Sequence, residues 1–146
     1  MDLKAGVAIV VLALAGCATT PADPLRASPV PAERLFAFQT AVQGPSAQII
    51  VTRDKGFLGG GCYYSFYINS VLAARMEAAE TASFVVPVGE VLLKSGRDQE
   101  GRALCGVNKE EWTQRETILK AGERKYFRMS LDQNGKTDIQ RADPVK

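Results

Sequence analysis

The 146-residue chain contains no histidine. That removes the commonest general base at neutral pH and the commonest transition-metal ligand. Cysteine is scarce: Cys17, Cys62 and Cys105 are the only three, too few for a four-thiolate zinc or iron–sulfur site. Charge of one sign is lacking as well. Eighteen basic residues stand against 16 acidic ones, a net charge of +2, which implies neither nucleic acid nor an acidic substrate. No apolar run reaches the roughly 20 residues of a membrane-spanning helix. Nothing in this composition calls for a cofactor or a metal.

What is present is a hydrophobic share of 46%, ordinary for a globular protein, in a length that fits one domain. The chain begins "MDLKAGVAIVVLALAGCATT". Lys4 precedes an apolar run over 5–14, the size of the core of a secretory signal peptide. Asp2 weakens the positive start, but Lys4 and the initiator amine keep it net positive. The run closes on Leu14-Ala15-Gly16-Cys17. This tetrapeptide resembles the lipobox of bacterial lipoproteins, with an apolar first residue, small residues before the cut and cysteine after it. The resemblance implies that residues 1–16 are removed as a signal peptide and that Cys17 is lipidated on its sulfur and acylated on its new amine. Several acyl chains on one residue hold a protein to a membrane durably, where one chain does so only marginally. Ala18 stands where inner-membrane lipoproteins often carry aspartate. The resemblance therefore implies export to the outer membrane, with the domain facing the periplasm.

Residues 17–34 contain four prolines among small and polar residues. Proline holds the chain extended and lacks a backbone N–H, so the segment reads as a flexible tether. The domain is expected over 35–146, beginning with "RLFAFQTAV", a short helix or a first strand. No internal repeat is visible.

The rest of the pattern is mostly β. Residues 47–53, "AQIIVTR", are rich in β-branched side chains. In "CYYSFYIN", Cys62, Tyr64, Phe66 and Ile68 share one face and Tyr63, Ser65, Tyr67 and Asn69 the other, the period of a half-buried strand. Residues 81–95 give two strands around Pro87-Val88-Gly89. Residues 115–122 and 125–131 give two more, joined by a Gly-Glu-Arg turn, with Phe127, Met129 and Leu131 in an inward row. Asn134-Gly135 is a strong hairpin signal, and "TDIQR" returns from it. Residues 70–80, "SVLAARMEAAE", have helix-forming composition. Their place after an Asn69-Ser70 turn and between strands favours a strand through about Met76, because tertiary context overrides propensity at this length.

Many short strands with frequent turns point to an all-β sandwich. Tyr67-Ile68-Asn69-Ser70, followed by Pro87-Val88-Gly89-Glu90-Val91-Leu92-Leu93 and then "LKAGERKYFRMSLDQNGKTDIQ", resembles PEGA-like domains of bacterial envelope proteins and a related lipoprotein domain of unknown function. The likeness runs over about 47–141. It implies a transthyretin-like or immunoglobulin-like β-sandwich without known catalysis. Ser70 departs from the more usual glycine of the first turn.

The stretch "GFLGGGCYYSFYIN", 56–69, remains. Its glycines lack the lysine and hydroxyl residue of a phosphate loop, and a strand follows in place of a helix. A catalytic thiol needs an activating neighbour, and no histidine is present. Export places the chain in an oxidising compartment, where Cys62 and Cys105 are expected to pair as a disulfide once Cys17 is lipidated. The glycines then let the chain turn sharply into the strand.

Weaker candidates are the carboxylate pairs Glu110/Glu111 and Glu77/Glu80, which a solvated face explains better than acid–base chemistry, and the polar loop carrying Arg97 and Arg102. Tyr63, Tyr67 and Trp112 are the candidate interaction surface, set against core or cross-strand packing. The expected function is non-enzymatic: a membrane-anchored envelope lipoprotein that binds or scaffolds an envelope protein partner. Two alternatives are an inhibitor or immunity-type protein that caps another protein, and a small envelope hydrolase acting through carboxylates.

Overall fold

The period-2 segments form strands, and the computed structural model, which describes residues 19–56 and 60–144, contains no α-helix among them. Cys17 and the expected signal peptide, 1–16, lie outside the described residues. The strands are β1 (Ser28–Pro29), β2 (Ser46–Arg53), β3 (Tyr64–Ile68), β4 (Val71–Met76), β5 (Glu80–Pro87), β6 (Gly89–Arg97), β7 (Trp112–Leu119), β8 (Arg124–Leu131) and β9 (Thr137–Arg141). They form a five-stranded sheet, β1-β5-β2-β8-β9, and a four-stranded sheet, β4-β3-β6-β7. The β2–β8 and β1–β5 pairs are parallel, and the other neighbours antiparallel.

The two sheets pack face to face, each giving its alternate residues to one core. Ile49, Val51, Phe84, Val86, Met129, Leu131 and Ile139 come from the larger sheet; Tyr64, Phe66, Ile68, Val91, Leu93 and Leu119 come from the smaller. Phe66 and Phe84 stack across the interface with ring centroids 5.7 Å apart. Each such side chain contributes about 1.5–3 kcal/mol by leaving water.

The segment of helix-forming composition is a strand through Met76. Asn69 and Ser70 both adopt positive φ, 47° and 65°, as the two central residues of a type I′ turn must, and this turn sends β4 back along β3. A register shift between Phe66 and Tyr67 leaves Ala73 as an extra residue, so Ala73 and Ala74 are both buried. Small side chains make that bulge cheap. The Pro87-Val88-Gly89 break and the 122–124 turn join strands of different sheets. They are arches and not hairpins, and no local signal distinguishes the two. The Asn134-Gly135 hairpin does join neighbours, β8 and β9, and the Asp132 carboxylate accepts the N–H groups of Asn134 and Lys136 at 2.8 and 2.9 Å.

The segment read as a tether differs most from expectation, since its described part lies on the sandwich. Thr20 and Lys55 exchange backbone hydrogen bonds at 2.8 and 3.0 Å, and the Thr19 hydroxyl accepts the Leu131 N–H at 2.9 Å. Strand β1 lines the edge of β5; the Val30 N–H donates to the Thr81 carbonyl at 2.9 Å, and the Val30 side chain is buried. The chain then crosses to the other sheet, where the Phe36 N–H donates to the Ala73 carbonyl of β4 at 2.9 Å. The Phe38 carbonyl takes the Val85 N–H at 2.8 Å. Residues 35–42 are therefore neither helix nor regular strand. Proline fits this role because an edge-lining segment need not donate from every residue. The strap covers two edges that would otherwise be open to pairing with other chains.

The sandwich has two unlike ends. One carries the long connections 54–63 and 98–111 and the turns 77–79 and 132–136; it is called the disulfide end below. The other is closed by Asn69-Ser70, Val88 and the turn 120–123.

Candidate functional site

Cys62 and Cys105 are joined by a disulfide, their Cα atoms 5.4 Å apart and 43 residues distant in sequence. The bond ties the chain entering β3 to the 98–111 connection. Arg53 lies beneath it, 1% exposed, and donates to the carbonyls of Cys62 and Met76 at 2.6 and 2.7 Å. Its guanidinium carbon stands 4.4 Å from the centroid of the Tyr64 ring. Burial lowers its pKa to about 10, and burial likewise pushes the Tyr64 phenol up. A cation is tolerated here because carbonyl dipoles and a ring face take the place of water.

Of the three predicted surface aromatics, two meet. Tyr67, Lys94 and Gln114 are in register across β3, β6 and β7, and so are Ser65, Gly96 and Trp112. Trp112 lies across Gly96 and meets Tyr67 edge-on, with ring centroids 5.3 Å apart and planes at 84°. A Cβ on Gly96 would stand 2.5 Å from Trp112 Cε3. This glycine is therefore what lets the indole lie flat on the outer face of the sheet. Lys94 Nζ sits 4.2 Å from the Trp112 centroid, within cation–π range. The partners of Trp112 could not be read from sequence, because they depend on which strands are neighbours.

Tyr63 is on the same side of β3 but four residues back, about 13 Å along the strand. It is 39% exposed, with the Arg34 guanidinium 4.9 Å over its ring. Arg34 also grips the two carboxylate oxygens of Glu80 at 2.7 and 2.5 Å, and that hydrogen bond is the main cause of its raised pKa. Between Tyr63 and Tyr67, Ser65 donates to Asp98 at 3.2 Å. Arg75 bridges Asp98 and Glu100 at 3.0 and 2.6 Å while its guanidinium covers Phe36.

The buried carboxylates are committed to the fold. Glu80 takes Arg34 and the Glu77 N–H. Buried Asp54 pairs with Arg128 and accepts the Thr19 hydroxyl. Glu110 and Glu111 are exposed. Among the described residues, no three Cys, Asp or Glu side chains gather in a metal-binding arrangement, and no helix is long and apolar enough to cross a membrane. A groove of about 520 Å³ runs between β7 and β9. Within it the Arg115–Asp138 pair, 2.7 Å, and the Thr113 hydroxyl on the Thr137 carbonyl link the two sheets.

No protein-family model matches the chain, and no curated protein matches its sequence.

Proposed function

We propose that the protein is a lipid-anchored envelope lipoprotein whose sandwich is a binding or scaffolding module. Its anchor would be Cys17 and its docking face the outer side of β3, β6 and β7. The observation that carries the docking half is the Tyr67–Trp112–Lys94 group, laid flat over Gly96. Tryptophan and tyrosine are among the residue types that anchor interfaces. The lipobox resemblance at Leu14-Ala15-Gly16-Cys17 carries the anchor half. A non-enzymatic reading is favoured because the buried carboxylates, Asp54, Glu80 and Asp98, are spent on ion pairs with Arg128, Arg34 and Arg75, and the Asp138 that lines the groove is paired with Arg115.

Strand order favours the transthyretin-like form of the expected sandwich. In an immunoglobulin sandwich the first strand pairs with the second in one sheet. Setting aside the short β1, the first core strand here, β2, pairs with the fourth and, in parallel, with the seventh, while β3 lies in the opposite sheet.

A photo-crosslinking residue at exposed Gln114, in protein purified from membranes with lipid verified on Cys17, tests this reading. The expected result is a discrete envelope-protein adduct that Trp112→Ala abolishes. Equal yields from Gln114 and from a crosslinker at Arg124, on the other sheet, would contradict it.

A further inference from the structure

The described chain begins at Thr19, only two residues beyond Cys17, and Thr19 is fastened to the disulfide end. Its N–H donates to the Leu131 carbonyl at 3.2 Å, and its hydroxyl donates to buried Asp54 at 3.1 Å. Gly56 packs so closely on it that a Cβ there would stand 3.2 Å from the Thr19 Cα. Two residues of fully extended chain span about 7 Å, comparable to the thickness of a bilayer's headgroup layer. A lipid on Cys17 would thus leave no free leash, and the disulfide end would rest against the bilayer.

That same end holds two apolar side chains out in solvent. Leu104 is 83% exposed and Val107 50% exposed, on either side of Cys105. The loop that carries them is tied down at many points. Cys105 is bonded to Cys62. The Arg97 guanidinium holds the Leu104 carbonyl at 3.1 Å. Gln99 and Lys109 exchange hydrogen bonds at 3.0 and 2.8 Å, and Gly101 closes a turn on Asp98 at 3.0 Å. A loop held this firmly keeps an apolar tip exposed at a solvation cost, and a nearby lipid surface removes that cost. Lys55, Arg102, Lys109 and Lys136 face Glu77, Glu110, Glu111 and Asp132 at this end, and the further carboxylates Asp54, Asp98 and Glu100 are paired with Arg128 and Arg75, so no basic excess is presented. The contact would therefore rest on apolar insertion and not on attraction to anionic lipid.

We infer that the disulfide end is a membrane-docking face, with Leu104 and Val107 seated in the bilayer interface beside the lipidated Cys17. This rests on the lipoprotein reading above. The test uses full-length lipidated protein in phosphatidylcholine vesicles, with Trp112→Phe removing the sole tryptophan. A reporter is placed by Leu104→Trp or, at the opposite end, by Val88→Trp. Brominated phosphatidylcholine should quench Leu104→Trp about twofold, with blue-shifted emission, and leave Val88→Trp unchanged. Equal quenching of both reporters, or none at Leu104→Trp, on protein whose mass shows lipid on Cys17 overturns this inference alone; the second result would assign the exposed loop to a protein partner. Absence of lipid on Cys17 overturns the lipoprotein reading and this inference with it.

Discussion

The two ends of the sandwich solve the same problem by opposite means. At the turn end, strands reverse over Asn69-Ser70, Val88 and a four-residue turn whose Gly122 takes a φ of 73°. These connections are short and are held by backbone angles and a few nearby hydrogen bonds, such as the Leu92 N–H on Asn69 Oδ1 and the Lys120 N–H on the Glu123 carboxylate, both 2.9 Å. At the disulfide end the connections are long. They are held by a covalent bond, a buried arginine, the Asp54–Arg128 and Arg75–Asp98 pairs and the N-terminal segment itself. Long loops lose more entropy on ordering, so the cross-links sit where the chain is least ordered by its own geometry. The lesson is that one end is ordered by short turns and the other by cross-links between distant residues.

The contrast can be broken at its strongest point first. Removing the disulfide with Cys62→Ser and Cys105→Ser frees the loop that the bond closes. Urea unfolding should show a loss of about 4 kcal/mol, a large share of a small domain's stability. Arg53→Ala comes next, because it leaves the Cys62 and Met76 carbonyls without their donor and opens a cavity; the expected loss is about 3 kcal/mol by the same measurement. Arg34→Ala strands the carboxylate of Glu80, whose side chain is only 9% exposed, and should cost about 2 kcal/mol. It should also loosen the strap, seen as faster proteolysis before residue 38.

At the turn end effects should be small and of the other sign. Ser70→Gly relieves a left-handed backbone angle at an exposed position and should raise stability by about 0.5–1 kcal/mol in thermal melts. A loss there larger than the one from Arg53→Ala would invert the comparison.

How much of this was legible depended on the range of the interaction. The alternation of Tyr63 to Asn69 and the row Phe127, Met129 and Leu131 gave strands and inward faces directly, since side-chain direction is a local property. The disulfide followed from the compartment that the lipobox resemblance implies and from cysteine arithmetic. What could not be read was adjacency. Nothing near Gly122 tells that β7 and β8 lie in different sheets, and nothing near Gly96 tells that Trp112 will lie across it. The prolines of 17–34 misled for a related reason. Composition suits a spacer, but the backbone of Val30 and the side chain of Arg34 find partners 50 or so residues later, at Thr81 and Glu80.

The account turns on whether the N-terminal segment belongs to the fold, because with a lipid on Cys17 a docked segment would bring the disulfide end to the membrane and a free one would not. Amide hydrogen exchange of the mature protein, resolved by residue, measures this directly. Thr20, Val30 and Phe36 should be protected about as strongly as Lys55, whose N–H donates to the Thr20 carbonyl, and Val85, whose N–H donates to the Phe38 carbonyl. Exchange of Thr20, Val30 and Phe36 at free-peptide rates, beside protected strands β2 and β5, would contradict the account and return residues 17–34 to a flexible tether.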